Sequence, residues 1–158
     1  MIGDASMPDF VGNFTHNLDD KGRVSLPRRF KEILATTGGA NLVLAPNVDP
    51  LGRCLVAYPL PQWQQFMEKV RALPQMEPAV IMFKRRHLGR AAEIVADRLG
   101  RIVIPGRLRT AAELLDKVVF VGVGEKFEIW NPDRWREVEE MGPEEEGEYV
   151  GTLADLAL

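Results

Sequence analysis

The sequence predicts an α+β, strand-rich fold in which two copies of one small unit, related by a pseudo-twofold axis, close a β-barrel with flanking helices. The first observation is an internal repeat: the stretch Asp19–Pro27 returns as Asp97–Pro105, with Asp, Gly, Arg and Pro in register. The second is strand length, because the short strands of one copy cannot close a sheet alone. The third is size: 158 residues make one domain or two very small ones, so the copies are expected to share a core or to lean on other chains.

In the first copy, alternating apolar and polar residues predict strands, and apolar residues three and four positions apart predict helices. Phe14, His16 and Leu18 fall on one face of the first strand, and Gly22 allows a tight turn after it. Pro61 is placed to begin the second helix. The predicted elements of this copy are strands over 10–18, 24–26, 42–45 and 55–58 and helices over 28–35 and 61–73.

The second copy repeats this order after a linker that contains Pro74 and Pro78. A helix over 79–89, which bears the run Lys84-Arg85-Arg86, precedes it. The repeats are therefore predicted over 7–73 and 79–141, followed by an acidic C-terminal tail over 142–158 that is expected to be mobile. The predicted elements of this copy are strands over 93–96, 101–104, 118–121 and 127–130 and helices over 107–115 and 132–141.

The charge is unevenly distributed. The net charge is −3, but nine acids and two bases fall in residues 133–158, which leaves the first 132 residues with a net charge of +4. A mildly basic body with an acidic tail is able to present a local basic face to nucleic acid. Charge alone does not distinguish such a protein from a neutral enzyme with an acidic terminus.

Motifs for catalysis or metal binding are absent from the sequence. His16 and His87 stand in different contexts, and no nucleophile elbow, paired-cysteine or zinc-protease motif occurs. The single Cys54 excludes an intramolecular disulfide and is compatible with a reducing cytoplasm. No apolar run approaches membrane-spanning length. We therefore expect no enzyme activity, no metal, no cofactor, no small-molecule substrate and no membrane partner.

The repeated turn is the strongest candidate for a functional site. Its Asp is expected to form the turn, either by pairing with the Arg four residues later or by accepting backbone N–H groups. The structural turn residues are Asp19, Gly22, Asp97 and Gly100. For the arginines the sequence leaves two roles open, a structural ion pair or an outward contact with the phosphates and base edges of DNA. Lys21, Arg28 and Arg29 near Arg23, and Arg98, Arg107 and Arg109 near Arg101, favour an outward basic face.

At these residues the chain resembles the MraZ family, bacterial regulators built on the AbrB/SpoVT-like swapped-hairpin fold. The resemblance covers about residues 9–141. Its motifs are Leu18-Asp19-x-Lys21-Gly22-Arg23-x-Ser25-x-Pro27, Leu55-x-x-Tyr58-Pro59-x-x-x-Trp63 and Ala96-Asp97-x-x-Gly100-Arg101-x-x-x-Pro105. The resemblance implies two tandem AbrB/SpoVT-like repeats that together form a swapped-hairpin barrel.

The resemblance also implies a function. It points to a sequence-specific DNA-binding transcriptional regulator, typically a repressor of the division and cell-wall gene cluster that includes its own gene. Such a regulator binds tandem direct repeats in promoter DNA as a ring-shaped homo-oligomer, here expected to be an octamer or dodecamer, in the bacterial cytoplasm at the nucleoid. The DNA-binding candidates are Lys21, Arg23, Arg28, Arg29, Arg98 and Arg101.

Three alternatives are kept. The first is a ring-forming structural or interaction protein of cell division without specific DNA binding. An antitoxin-like module and a small enzyme are the others. The two turns differ in sequence, because Arg98-Leu99 stands where the first turn has Asp20-Lys21. If the protein binds DNA, the two turns need not contact it equally. We favour the first copy as the main contact.

Overall fold

The computed structural model describes residues 8–37, 39–47 and 53–157. Both copies run strand–turn–strand–helix–strand–strand–helix, as the sequence predicts, and the copies are joined through a short helix and a 3₁₀ turn. The strands are β1 (Asn13–Asn17), β2 (Arg23–Ser25), β3 (Asn41–Pro46), β4 (Leu55–Pro59), β5 (Ala92–Val95), β6 (Arg101–Val103), β7 (Lys117–Gly122) and β8 (Phe127–Trp130). The helices are α1 (Arg28–Thr36), α2 (Leu60–Arg71), α3 (Pro78–Arg86), α4 (Gly106–Ala111), α5 (Pro132–Glu139) and α6 (Pro143–Asp155), and the 3₁₀ turn is Leu88–Arg90.

The strands of the two copies are interleaved. Six of them form an antiparallel sheet in the order β1–β7–β8–β4–β3–β5, and β2 pairs with β6 in a separate two-stranded ribbon. The first strand of each copy pairs with the third strand of the other: β1 with β7, and β5 with β3. This exchange is the swapped-hairpin arrangement. Neither copy forms this sheet without the other.

A pseudo-twofold axis follows from the register. Exchanging each strand for its equivalent in the other copy reverses the order of the six-stranded sheet and leaves the pairings unchanged. Val24 lies opposite Ile102 in the ribbon, and Val56 lies opposite Glu128 where β4 meets β8. Val24 and Ile102 are equivalent positions of the two copies, and so are Val56 and Glu128. The axis therefore passes between the two residues of each pair.

One hydrophobic core fills the space between the sheet and the ribbon. Val24 and Ile102 face it from the ribbon, while Phe120 and Phe127 face it from the sheet. Phe30 of α1 is fully buried among these rings, with its centroid 4.9 Å from that of Phe127. Because both copies contribute to one core, the predicted sharing of the core between copies is confirmed.

Two aromatic pairs lie on the outer face of the sheet. Trp63 contacts Tyr58 at 5.1 Å between ring centroids, and Trp135 contacts Trp130 at 5.8 Å. Each tryptophan therefore packs on an aromatic residue of its own copy. Cys54 is buried beside the second pair, and burial raises the pKa of its thiol to about 12.

The acidic C-terminal segment contains helix α6, an element that the sequence analysis did not assign. Pro143 occupies the start of this helix, where proline needs no hydrogen-bond partner for its nitrogen. Glu144, Glu145 and Glu146 occupy its first turn, next to the positive end of the helix dipole. The mobility of the segment stays a prediction.

Candidate nucleic-acid interface

The β2–β6 ribbon has one exposed face and one face that is buried against the core. Val24 and Ile102 point into the core, while Arg23, Arg101 and Val103 lie on the exposed face together with Ser25. Arg23 is directly opposite Val103, and Ser25 is directly opposite Arg101. Since directly opposite residues of an antiparallel pair project to the same side, the two arginines share one exposed surface.

The first turn is held together by one carboxylate. Asp19 Oδ1 accepts the backbone N–H groups of Lys21 and Arg23, both at 2.9 Å. Arg23 Nε donates to Asp19 Oδ2 at 2.7 Å. The predicted ion pair and the predicted backbone hydrogen bonds therefore occur together. They fix the direction of the arginine relative to the turn.

The second turn has the same geometry. Asp97 Oδ1 accepts the N–H groups of Leu99 and Arg101 at 2.9 Å, and Arg101 Nε donates to Oδ2 at 2.9 Å. The side chains of Arg23 and Arg101 are 47% and 46% exposed. Within the described part of the chain, their Nη nitrogens have no hydrogen-bond partner. Each arginine thus has a structural role through Nε and a free outer edge.

The glycine of each turn permits the turn and joins it to the other copy. Gly22 and Gly100 have positive φ angles of 83° and 78°. The Gly22 carbonyl accepts the N–H of Ile104 at 2.8 Å, and the Gly100 carbonyl accepts the N–H of Leu26 at 2.9 Å. A Cβ at Gly22 would lie only 2.6 Å from the carbonyl oxygen of Ile104. The first turn consequently has no room for a side chain at this position.

Hydrogen bonds lower the pKa of both turn carboxyls. For Asp19 and Asp97, the largest cause is the backbone N–H of the arginine four residues later, and the guanidinium of that arginine contributes as well. Both carboxyls are therefore ionised at neutral pH. An ionised carboxylate only accepts hydrogen bonds, which is the role it has in each turn.

The other predicted DNA-binding residues lie around the ribbon. Lys21 and Arg98 are exposed within the two turns. Arg28 and Arg29 begin helix α1, directly after β2, and both pair with Glu32, at 3.6 and 3.2 Å. Arg28 stays 92% exposed. The glutamate reduces the net positive charge of this group without covering it.

The basic run at the end of α3 has a local partner. Lys84 Nζ donates to Gln75 Oε1 at 2.6 Å, which ties this helix to the α2–α3 connection. The sequence left open whether this run joins the basic face. The observed contact of Lys84 is with Gln75, in the helical segment between the copies, and not with the β2–β6 ribbon.

The sequence analysis did not predict that two side chains contact the turn of the opposite copy. Arg109 was grouped with Arg101, but its Nε donates to the Ile104 carbonyl at 3.0 Å and its Nη1 to the Asp20 carbonyl of the first turn at 3.5 Å. Lys31 Nζ donates to the Leu99 carbonyl of the second turn at 3.5 Å. The repeat register would have shown that Lys31 and Arg109 are equivalent, but it does not indicate their partners.

The described residues also bear on metal binding and on membrane insertion. Within 8–37, 39–47 and 53–157, no group of three or more His, Cys, Asp or Glu side chains is placed to hold a metal ion. No helix in the same ranges is long and apolar enough to span a membrane. His16 is a strand residue, and its Nδ1 lies 2.6 Å from the Ser25 carbonyl oxygen.

The fold and the repeated turn together define an AbrB/SpoVT-like swapped-hairpin protein with both repeats in one chain. Comparison with known families narrows this class. The family model described as "MraZ protein, putative antitoxin-like" matches residues 10–86 and 88–147. The chain belongs to the MraZ family.

Three similar proteins share the same name. A protein of Marinobacter nauticus named "Transcriptional regulator MraZ" is 38% identical over 147 residues, which cover 89% of this chain and 97% of that protein. The protein of the same name from Thermomicrobium roseum is 38% identical, with 93% and 99% covered. That of Moorella thermoacetica is 40% identical over 128 residues, with 81% and 85% covered.

Proposed function

We propose that this chain is a sequence-specific transcriptional regulator that reads double-stranded DNA through the β2–β6 ribbon. The observation that carries the proposal is the pair of arginines on one exposed face, each held by an aspartate. The major groove of B-DNA admits a two-stranded β-ribbon. An arginine fork is the commonest side chain that recognises guanine there, and it also binds phosphate.

The aspartates support this role because they restrict the arginines before DNA arrives. A free arginine loses side-chain entropy when it is ordered on binding. In each turn the Nε is already bonded, at 2.7 Å in the first turn and 2.9 Å in the second, so less freedom is lost. The Nη nitrogens then supply the contacts to DNA.

The surrounding basic residues complete the proposed interface. Lys21 and Arg98 flank the arginines within the turns, and Arg28 and Arg29 extend the surface along α1. Exposed cations beside a reading element position the protein by binding phosphate oxygens. We assign phosphate contacts to these four residues.

The finer function rests on the family. The relatives named above are called transcriptional regulators, and we extend this role to the present chain. We propose repression of the division and cell-wall gene cluster that includes its own gene. The protein would bind tandem direct repeats as a ring, an octamer or a dodecamer, in the bacterial cytoplasm at the nucleoid. A ring suits a chain with a net charge of −3, because several weak sites on one DNA bind with avidity.

The test is fluorescence anisotropy with a labelled duplex from the region upstream of this protein's gene. Wild type, Arg23→Ala and the control Arg71→Ala are compared at about 50 mM and about 200 mM salt, against a scrambled duplex. Arg71 is exposed at the end of α2, so the control removes the same charge away from the ribbon. We expect salt-weakened binding to the native duplex that Arg23→Ala reduces by about tenfold or more and Arg71→Ala leaves intact.

Two control measurements distinguish a role of Arg23 in DNA binding from a purely structural role, and a regulator from a structural protein. Circular dichroism must show that Arg23→Ala keeps the wild-type melting temperature, since a large drop would assign Arg23 to structure alone. Equal or absent binding to both duplexes would reject the regulator. It would favour the alternative of a ring-forming structural or interaction protein of cell division.

A further inference from the structure

We propose that Lys31 and Arg109 are positioning residues that hold the DNA-contacting turn of the opposite repeat, and that Arg109 makes the first turn the more rigid of the two. This inference rests on the proposed function for its meaning in DNA binding. The hold on the turns themselves is a property of the free protein and is tested separately below.

The two residues occupy equivalent places. Lys31 is the fourth residue of α1 and Arg109 the fourth residue of α4. The backbone N–H of each donates to the carbonyl of the proline that precedes its helix, Pro27 or Pro105, at 3.0 Å in both cases. Both side chains are half-buried. The pseudo-twofold symmetry therefore places one cation beside each turn.

Arg109 contacts the first turn directly at Asp20 and Gly22, and indirectly through Ile104, the second-copy residue whose N–H binds the Gly22 carbonyl. Its Nε donates to the Ile104 carbonyl at 3.0 Å and its Nη1 to the Asp20 carbonyl at 3.5 Å. Its guanidinium also covers Gly22, since Nε and Cζ lie 3.0 and 3.1 Å from the position that a Cβ would occupy there. One planar group thus connects the end of the second-copy strand to the turn of the first copy.

Lys31 makes a weaker set of contacts with the second turn. Its Nζ donates to the Leu99 carbonyl at 3.5 Å, the same distance as Arg109 Nη1 to the Asp20 carbonyl, but among the described residues its side chain has no second hydrogen bond like that of Arg109 Nε to Ile104. The rest of the contact is its aliphatic stem, which packs over Gly100. An ammonium on a flexible four-carbon stem restrains a backbone less than a rigid guanidinium fork does. The two turns therefore share a geometry but differ in how firmly it is held.

The path from Arg109 to the DNA-contacting arginine is short. The N–H of Ile104 donates to the carbonyl of Gly22, the residue before Arg23. Arg109 binds the carbonyl of the same Ile104. The guanidinium therefore restrains the turn directly at Asp20 and, through Ile104, at Gly22, while its Nε and Nη1 are occupied by protein carbonyls. This arrangement assigns Arg109 to the orientation of Arg23 and not to a phosphate.

The first arm of the test is amide hydrogen exchange in the free protein, with Arg109→Ala, Arg109→Lys and Lys31→Arg. The control is Arg107→Ala, an exposed arginine on the same helix. We expect Arg109→Ala to speed exchange at the Gly22 and Arg23 amides by about tenfold and to leave Gly100 and Arg101 unchanged. Arg109→Lys should bring the first turn to the exchange rate of the second. Lys31→Arg should slow exchange in the second turn.

The second arm is DNA affinity across a salt series. Loss of a positioning residue should weaken binding by about tenfold while the slope of log affinity against log salt stays as in wild type. Arg28→Ala, by contrast, should lower the slope by about 0.9, because Arg28 is one of the residues to which we assign a phosphate contact. Core amides of β7 and the melting temperature report whether any variant is globally destabilised.

Each outcome decides the proposal. Unchanged exchange in the first turn of Arg109→Ala, or equal changes in both turns and the core, would overturn the positioning role. A slope that falls by about 0.9 in Arg109→Ala would make this residue a direct phosphate ligand and would also overturn it. If the wild type binds no specific DNA, the proposed function fails, and the exchange arm still decides whether Arg109 and Lys31 hold the turns.

Discussion

Val24 lies directly opposite Ile102 at the centre of the β2–β6 ribbon, so the pseudo-twofold axis that relates the two repeats passes between these two residues. Arg23 and Arg101 are placed symmetrically about this pair, one on each side. Both are bonded through Nε to an aspartate four residues earlier. The ribbon therefore offers two restrained cations at equal distances from one axis.

Asp19→Asn separates orientation from bulk charge. The substitution removes one negative charge, and charge alone would strengthen DNA binding. It also removes the ionised acceptor of Arg23 Nε. Because this ion pair is partly exposed, we expect affinity for the upstream duplex to fall by up to about fivefold. Anisotropy with Asp20→Asn as the charge-matched neighbour checks this. Tighter binding by both variants would show that Asp19 does not orient the arginine.

Gly22→Ala and Gly100→Ala test the two turns as a matched pair. Both glycines have positive φ, which costs a side chain about 1–2 kcal/mol. At Gly22 the added Cβ would also meet the backbone oxygen of Ile104, whereas at Gly100 it would meet the flexible side chain of Lys31. We expect urea unfolding to show a larger loss of stability for Gly22→Ala.

Gly151→Ala is the control for these glycine variants. Gly151 lies in helix α6, where nothing approaches the position of an added Cβ. Alanine is the better helix former by about 1 kcal/mol, so this variant should not be less stable than wild type. Equal losses for Gly22→Ala and Gly100→Ala would contradict the crowding of the first turn.

His87 makes stability depend on pH. It is buried; its Nδ1 donates to the Pro46 carbonyl at 2.8 Å, and its Nε2 accepts from the Tyr58 hydroxyl at 2.9 Å. Burial lowers its pKa from 6.5, so the unfolded chain binds a proton more readily than the folded one. The stability contribution of the neutral ring is complete above pH 6.5 and is lost as pH falls through the lowered folded-state pKa.

The measurement is the melting temperature at about pH 7.5 and about pH 5.5. Wild type should lose more stability on acidification than His87→Gln, which cannot take up this proton. His16→Gln serves as the control for the other imidazole of the chain. If His16→Gln flattens the pH dependence and His87→Gln does not, His87 is not its source.

Phe30 should be among the most costly core positions. It is fully buried, and its ring lies 4.9 Å from Phe127 and 5.1 Å from Phe10 between centroids. Phe30→Ala should reduce the free energy of unfolding by about 3–5 kcal/mol. Phe14→Ala is the comparison, because Phe14 contacts Phe30 from a position that is 38% exposed. Similar losses in the two variants would show that burial of Phe30 adds little.

The sequence predicted what is determined locally. Asp19 and Asp97 form equivalent turns because a carboxylate that accepts nearby N–H groups needs only residues close in the chain. The pairing of β1 with β7 is different. Alternation in β1 shows which face is buried but not which strand lies beside it, and the exchanged pairing came from the family resemblance.

Two features escaped prediction for distinct physical reasons. The turn carbonyls that Lys31 and Arg109 bind are 68 and 89 positions away in the chain, so those contacts depend on the exchanged pairing. Helix α6 was not predicted because the acidic composition of residues 142–158 favours a mobile tail. Pro143 followed by acidic residues is also a signal for a helix start, and that signal was correct here.

The fusion of both repeats in one chain has a consequence for the symmetry of the DNA sequence that the proposed interface would bind. Two identical subunits present the same side chains twice and must read an inverted repeat of one half-site. Here Asp20-Lys21 in the first turn corresponds to Arg98-Leu99 in the second. Arg109, which contacts the first turn, likewise corresponds to Lys31, which contacts the second. If the ribbon reads DNA as proposed, we infer that its site is not a palindrome and has a polarity. Neighbouring copies of such a protein are free to point the same way along a duplex.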